Sequence, residues 1–334
     1  MKTKTKNVSF PYGKILIGAI AIVLLLSPSF GLGSYGINVI VTCLVFASLG
    51  ICWNLISGYA GQISWCHAAF LSVGGYTSII FYQTFGWSPI FSLPIGMLIS
   101  LVVATIIGNM TFRLRGTYFS IATIALSEIV RVILLFFRDI TGGSLGIYVP
   151  YKVNQQFNLV FLNNTPFLYI MFGVLAVILL IANVFDHARI GYSLRAIKGD
   201  EDAAFSLGVS TFSSKLRAFQ LSAMLTAAVG TIYAFFLTFI DPAGFCGLDM
   251  SVRIGMVAII GGVGTLWGPV LGAFIVIPLI ELAGTLMGQM GGTQLFYGVA
   301  LVLVVMFKPD GLISFFKRKK DFDETVPETV EVLE

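Results

Sequence analysis

Apolar residues gather along the chain into continuous runs of about twenty, each bounded by short polar or glycine-containing segments. A helix needs about 20 such residues to cross about 30 Å of hydrocarbon. Residues 37–56, 90–110 and 166–185 reach that length without a charge, and 218–240 forms another clear span. Residues 117–137 reach it with Glu128 and Arg131 inside, and 269–287 with Glu281 inside. The segments 15–32, 64–85, 254–266 and 294–307 also read as spans. The second of these is polar and glycine-interrupted, and the last two are short, at 13 and 14 residues. Continuous runs exclude the alternating pattern of a membrane β-barrel. The pattern predicts an all-α, polytopic transmembrane helix bundle of about 8–10 spans, ten when every candidate is counted.

Composition sharpens this picture. Of 334 residues, 57% are apolar and only 11% are charged, against about 25% charged in a soluble domain. A water-soluble globule cannot cover so much apolar surface, which excludes a soluble enzyme, a disordered chain and a disulfide-rich secreted domain. The cysteines (Cys43, Cys52, Cys66, Cys246) form no CxxC pair, and His67 and His187 have no ligand-spaced companions. No metal site is predicted.

Charge placement sets the orientation. Ten crossings with the N-terminus in the cytoplasm put sixteen of the 20 Lys and Arg residues inside. Only Arg138, Lys152 and Arg253 then lie outside, and Arg131 lies within a span. This satisfies the positive-inside rule, and the inverted arrangement does not. Residues 1–14 and the tail 315–334 are then cytoplasmic, flanking one transmembrane domain over 15–314. Residues 1–29 also carry a basic, apolar, small-residue order similar to a signal peptide, although Pro28 and the missing A-x-A site weaken that reading. The stretch from Asp321 to Glu334 is acidic, lacks apolar periodicity and reads as disordered.

The longest cytoplasmic loop, 186–217, predicts a short helix. Asp200 suits its N-cap, Glu201 and Asp202 sit in the first turn where the helix dipole favours anions, and Gly208 closes its end. Ala203 and Ala204 keep one face small enough for a partner's groove, and Glu201 can pair with a basic residue of that groove. Within 58–75, Gln62, Ser64 and His67 lie among glycines, followed by Tyr76. Such polar, glycine-broken backbone at membrane depth either lines a translocation path or packs tightly against other helices. Glu128 and Arg131 are three residues apart and close enough to pair. A charge at the bilayer centre costs about 2.5–3.5 kcal/mol on insertion scales, so a structural ion pair is the favoured reading over solute contact. Ser222, Thr226 and Gly230 form a small-residue stripe for close helix packing. Gly261, Gly262, Gly264 and Gly268 with Pro269 predict a break.

The pattern E-x-A-A-x-x-x-G at Glu201, Ala203, Ala204 and Gly208 resembles the EAA loop of ABC importer permeases. Four further stretches resemble the LivM-type permeases of branched-chain amino acid importers. They are GYAGQISWCHAAFLSVGG at 58–75, RLRGTYFSIATIALSE at 113–128, GGVGTLWGPVLG at 261–272 and MFKPDGL at 306–312. The ordered matches cover about residues 37–314. Trp65 and Cys66 depart from the small or aliphatic residues more usual there, which leaves solute size open.

The resemblance implies a non-enzymatic permease subunit in a prokaryotic inner or plasma membrane. It also implies a second homologous permease, two ATPase subunits that hold ATP and Mg, and an extracytoplasmic solute-binding protein. Asp200, Glu201, Asp202, Ala203, Ala204 and Gly208 would then form the ATPase-coupling loop. The sequence itself lacks the G-x-x-x-x-G-K-[ST] loop, an H-E-x-x-H pair and a clustered carboxylate site, so it carries no recognisable catalytic residues, cofactor site or nucleic-acid-binding patch. The expected solute is a branched-chain amino acid, with urea or another small polar solute as the near alternative. An ion-coupled secondary transporter or channel is the alternative of another class, which leaves the E-x-A-A-x-x-x-G helix unexplained.

Overall fold

The structure, a computed structural model, describes residues 33–150, 159–161, 163–287, 298–299, 306 and 311–313. The expected span 15–32, nearly all of 294–307 and the acidic tail lie outside them. Among the described residues the chain forms twelve α-helices and one two-residue strand pair. The long helices are α1 (Ser34–Ser57), α2 (His67–Phe85), α3 (Pro89–Thr111) and α4 (Thr117–Phe136). After the short α5 (Arg138–Thr141) and strand β1 (Ile147–Tyr148) come α6 (Thr165–His187), α7 (Arg189–Gly199), α8 (Glu201–Ser206) and α9 (Thr211–Leu237). Strand β2 (Phe239–Ile240), α10 (Pro242–Cys246), α11 (Leu248–Gly261) and α12 (Gly268–Met287) complete the order.

Five of these helices, α1, α3, α4, α6 and α9, are long and apolar enough to cross a membrane. The protein is a multi-pass, all-α membrane protein. Helix α11 has 14 residues and spans about 21 Å at 1.5 Å per residue, short of a full crossing. It starts six residues before the expected span because Asp249 is favourable in its first turn, and it stops at Gly262, whose φ of +130° only glycine adopts easily. Helix α9 likewise starts seven residues earlier than its apolar run, carrying Lys215 and Arg217 beyond it.

The core is the bundle of α1, α2 and α9. Helix α9 packs against α2, α3 and α1, while α6, α11 and α12 pack against α1. The α2–α9 contact depends on glycine: a Cβ on Gly74 would lie 2.0 Å from the Ala227 carbonyl oxygen, and one on Gly230 2.2 Å from that of Leu71. That close approach is the one the stripe at 222, 226 and 230 predicts. Buried hydroxyls serve this seam and the adjoining α3–α9 contact. Thr231 Oγ1 donates to the Gly74 carbonyl at 3.2 Å and contacts Ser78 Oγ at 3.0 Å, and Ser100 Oγ donates to the Ala223 carbonyl at 2.9 Å.

The helix ends fall into two layers. At one end the connections hold Arg113, Arg115, α7, α8 and the start of α9, tied together by side-chain bonds. At the other, β1 pairs antiparallel with β2 in the register Ile147 to Ile240, next to α5 and α10. Gln83 Nε2 fastens that pair to α2 by donating to the Tyr148 carbonyl at 2.7 Å.

Candidate functional site

The cation-bearing end is built around α8. Asp200 Oδ1 caps the helix, accepting from the backbone N–H of Asp202 at 2.9 Å and of Ala203 at 3.0 Å. Gly208 follows at φ +85° and closes it. Glu201 faces its own chain: its Oε1 accepts from Lys215 Nζ at 2.5 Å, and Lys215 is only 1% exposed. The ammonium also stands 5.8 Å from the Phe112 ring centroid, an added cation–π attraction. Arg115 makes a bidentate pair with Asp202, 2.8 Å on each branch. That hydrogen-bonded guanidinium holds the Asp202 carboxyl below the usual carboxylate range.

The two alanines split. Ala204 is buried against the bundle and Ala203 is exposed. The outward face is therefore not a small-residue strip. It carries Phe205, 69% exposed, and Leu207, 85% exposed. Glu201, which can pair with a basic residue of a partner's groove, is paired here within its own chain to Lys215, a cation fourteen positions away that the helix pattern alone does not point to.

Behind α8, the C-terminal end of α1 is locked to two other connections. Lys198 Nζ donates to the Gly58 carbonyl at 2.9 Å. Asn54 Oδ1 accepts from the Gly264 N–H at 2.8 Å, and its Nδ2 donates to the Thr265 carbonyl at 2.9 Å. The glycine group thus forms the expected break, a turn between α11 and α12 held by Asn54. Segment 58–66 is non-helical and pinned: Trp53 Nε1 donates to the Ser64 carbonyl at 2.8 Å, and Ser120 Oγ to that of Ile63 at 2.8 Å.

The residues singled out as path candidates do not form one cluster. Gln62 is half-buried, with its Oε1 unbonded. Ser64 is buried beside Cys66 Sγ at 3.1 Å. His67 lies in the core, its Nε2 at 2.8 Å from Ser222 Oγ, while Ser222 Oγ donates to the Cys52 carbonyl at 2.6 Å. The hydroxyl has one proton, already spent on the carbonyl, so His67 Nε2 is the donor and the ring is the neutral Nε2–H tautomer. Its Nδ1 has no partner. Tyr76 lies further along α2, buried, its hydroxyl also without a partner. Among the described residues no three His, Cys, Asp or Glu side chains come together. Residues 142–146 spell G-x-S-x-G. They form a turn between α5 and β1 rather than the strand–turn–helix elbow that pattern needs.

Glu128 and Arg131 do pair, Arg131 Nε lying 2.9 Å from both Glu128 carboxylate oxygens. They sit on the outward side of α4, with Glu128 49% and Arg131 27% exposed. Glu281, on α12, is half-buried.

A helix bundle with a charged, capped helix at one end and polar breaks between its spans defines a polytopic all-α membrane protein. Residues 35–307 match the family model described as the branched-chain amino acid transport system / permease component, and the chain belongs to that family. It is 27% identical over 323 residues to the high-affinity branched-chain amino acid transport system permease protein LivM of Salmonella typhimurium, covering 90% of this chain and 75% of that one. The Escherichia coli LivM is 27% identical over 299 residues, covering 83% and 69%. The Escherichia coli permease protein LivH of the same transport system is 23% identical over 289 residues, covering 80% and 91%. No solved structure matches the chain.

Proposed function

We propose that this chain is the membrane-spanning permease subunit of an ABC importer for branched-chain amino acids, lying in a prokaryotic cell membrane with the α7–α8 end in the cytoplasm. Its partners in this reading are a second homologous permease, two ATPase subunits that hold ATP and Mg, and an external solute-binding protein. The orientation is supported by charge: Arg113, Arg115, Arg189, Arg195, Lys198, Lys215 and Arg217 gather at the α8 end, against Arg138 and Arg253 among the described residues at the other.

The observation that carries the reading is the construction of α8. Asp200 to Gly208 form a capped helix seated inward by Ala204 and Glu201 and presenting Phe205 and Leu207 outward. Two exposed large apolar side chains on a charged, water-facing end are an anchor for a partner's apolar cleft. The internal bonds make α8 a stiff lever: a push on Phe205 reaches α9 through Lys215 and the α3–α4 connection through Arg115. Lys198 extends the same linkage from α7 to the end of α1. Closure of the ATPase pair would bias the bundle between outward- and inward-open states by contacting the lever differently in each.

Paired substitution Phe205→Asp and Leu207→Asp tests it. The variant is expected to reach normal abundance, lose co-purification of the ATPase subunits and lose ATP-driven uptake. Unchanged co-purification and uptake would contradict the docking role.

A further inference from the structure

Helix α4 is the least enclosed of the long helices. Its outward stripe runs Tyr118, Ile121, Ala125, Ile129, Val132 and Phe136, and Glu128 and Arg131 interrupt it. Glu128 is the twelfth residue of α4, which puts it about 16 Å from one end of the helix and about 12 Å from the other. Arg131, one turn on, is about 21 Å from the first end and about 8 Å from the second, so the pair occupies the second half of the span, on a face that the other described residues leave open. Hydrocarbon is a poor solvent for an ion pair, so this face borders water or a polar surface. The ground behind it is polar as well. Ser127, next in sequence, is buried with an unbonded hydroxyl, as is Tyr76. Helix α10, which carries Cys246, packs against both α4 and α2.

We propose that Glu128 and Arg131 form a contact site for the zwitterionic head of an α-amino acid in transit. Arg131 offers N–H donors to the solute carboxylate, and Glu128 accepts from its ammonium. An acid and a base side by side match the two charges of a free amino acid, and neither is matched by an uncharged solute such as urea. Ala125, one turn before Glu128, leaves room beside the pair, and Ile121, Ile129 and Val132 give an aliphatic surface for a branched side chain. The proposal rests on the amino-acid permease reading above and names the residues that would meet the solute.

The test uses the complete importer in proteoliposomes with its binding protein and labelled leucine. Glu128→Gln, Arg131→Gln and the exchange Glu128→Arg with Arg131→Glu are expected to assemble in normal amounts. Each is expected to lower ATP-driven uptake about tenfold or more. The exchange keeps a helix ion pair but reverses its polarity, so uptake restored by the exchange would show a structural pair and overturn the site.

The Ala125→Cys variant, in an otherwise native chain, is expected to react with an impermeant cationic thiosulfonate, and leucine with binding protein is expected to slow that reaction several-fold. The unsubstituted chain, whose cysteines at 43, 52, 66 and 246 are buried, is the blank. An Ala125→Cys variant that does not react, or reacts indifferently to leucine, would also overturn the site even if the charge variants fail to assemble. A wild-type complex that imports no leucine would remove the permease reading itself, whereas an active wild type with an active exchange variant removes only this site.

Discussion

Helices α1 and α4 are both long and apolar enough to span a bilayer, yet the most apolar window of α1 is 83% buried and that of α4 only 17%. Hydropathy does not separate them; packing does. Helix α1 carries no charge, packs against α6, α9, α11 and α12, and ends in bonds from Asn54 and Trp53 that fix the neighbouring connections. Helix α4 holds an ion pair on an open face and is fastened mainly through its inner residues, such as Thr123 Oγ1, which accepts from the Trp65 N–H at 3.1 Å. One helix is scaffold. The other is surface at membrane depth, which in a permease is where a second subunit or a solute is met.

The largest effect that would test this contrast comes from the scaffold. A side chain at Gly74 has nowhere to go, because its first carbon would overlap the Ala227 backbone. Gly74→Leu is expected to cost more than the usual overpacking penalty of about 1–3 kcal/mol and to abolish recovery of monodisperse protein. Val132→Ala, on the open stripe of α4, is expected to leave recovery near normal. Equal losses for the two would erase the distinction.

The next effect lies at the α8 end. Glu201→Ala leaves the Lys215 ammonium buried without its partner, a loss of about 3–5 kcal/mol, and adding Lys215→Met is expected to recover most of it. Thermal unfolding of the purified chain, followed by the solubility of the heated sample, measures both. If the double variant were no better than Glu201→Ala, the pair would not be what seats the helix.

Ser222→Ala, in the α1–α2–α9 core, removes the hydroxyl that accepts from His67 Nε2–H and is expected to cost about 1–3 kcal/mol. Ser222→Cys retains an acceptor and is expected to cost less. The same thermal assay ranks them, and the opposite ranking would argue against the assigned tautomer.

The smallest effect is a pH dependence of the exposed Arg115–Asp202 pair. The Asp202 carboxyl is held below its ordinary value. Its contribution is therefore complete above the unfolded Asp value of about 3.9 and is lost as pH falls through the lower folded value. Amide exchange in α8 is expected to rise slightly, relative to α1, on acidification below about pH 4. Arg115→Ala should remove that difference while leaving global stability within error, because fully solvated ion pairs contribute little. A large pH effect that survives Arg115→Ala would assign it elsewhere.

Much of the fold was legible in the sequence because hydrocarbon demands length and apolarity together. Five uncharged or nearly uncharged runs became α1, α3, α4, α6 and α9, with the start of α9 shifted where Lys215 extends it past its apolar part, as Asp249 does for the shorter α11. The cap at Asp200 and the stop at Gly208 were legible for the same kind of reason, since each answers a local need of a helix end. What the chain pattern did not reveal was direction. Whether Ala204 faces in or out depends on where Lys215 ends up, and that depends on α9 packing beside α8. The open face of α4 was hidden too, because Glu128 and Arg131 pair equally well inside a bundle or on its surface. The short α10 and the β1–β2 pair are built from segments too brief for periodicity to mark.

The account stands most directly on how transport is driven. Purified complex in proteoliposomes, with binding protein outside and ATP within reach of the α8 end, should take up labelled leucine. Uptake should stop when the ATPase subunits are omitted or made unable to hydrolyse ATP, and an imposed proton or sodium gradient should not replace them. Leucine uptake by this chain without ATPase subunits, driven by an ion gradient, would contradict the account.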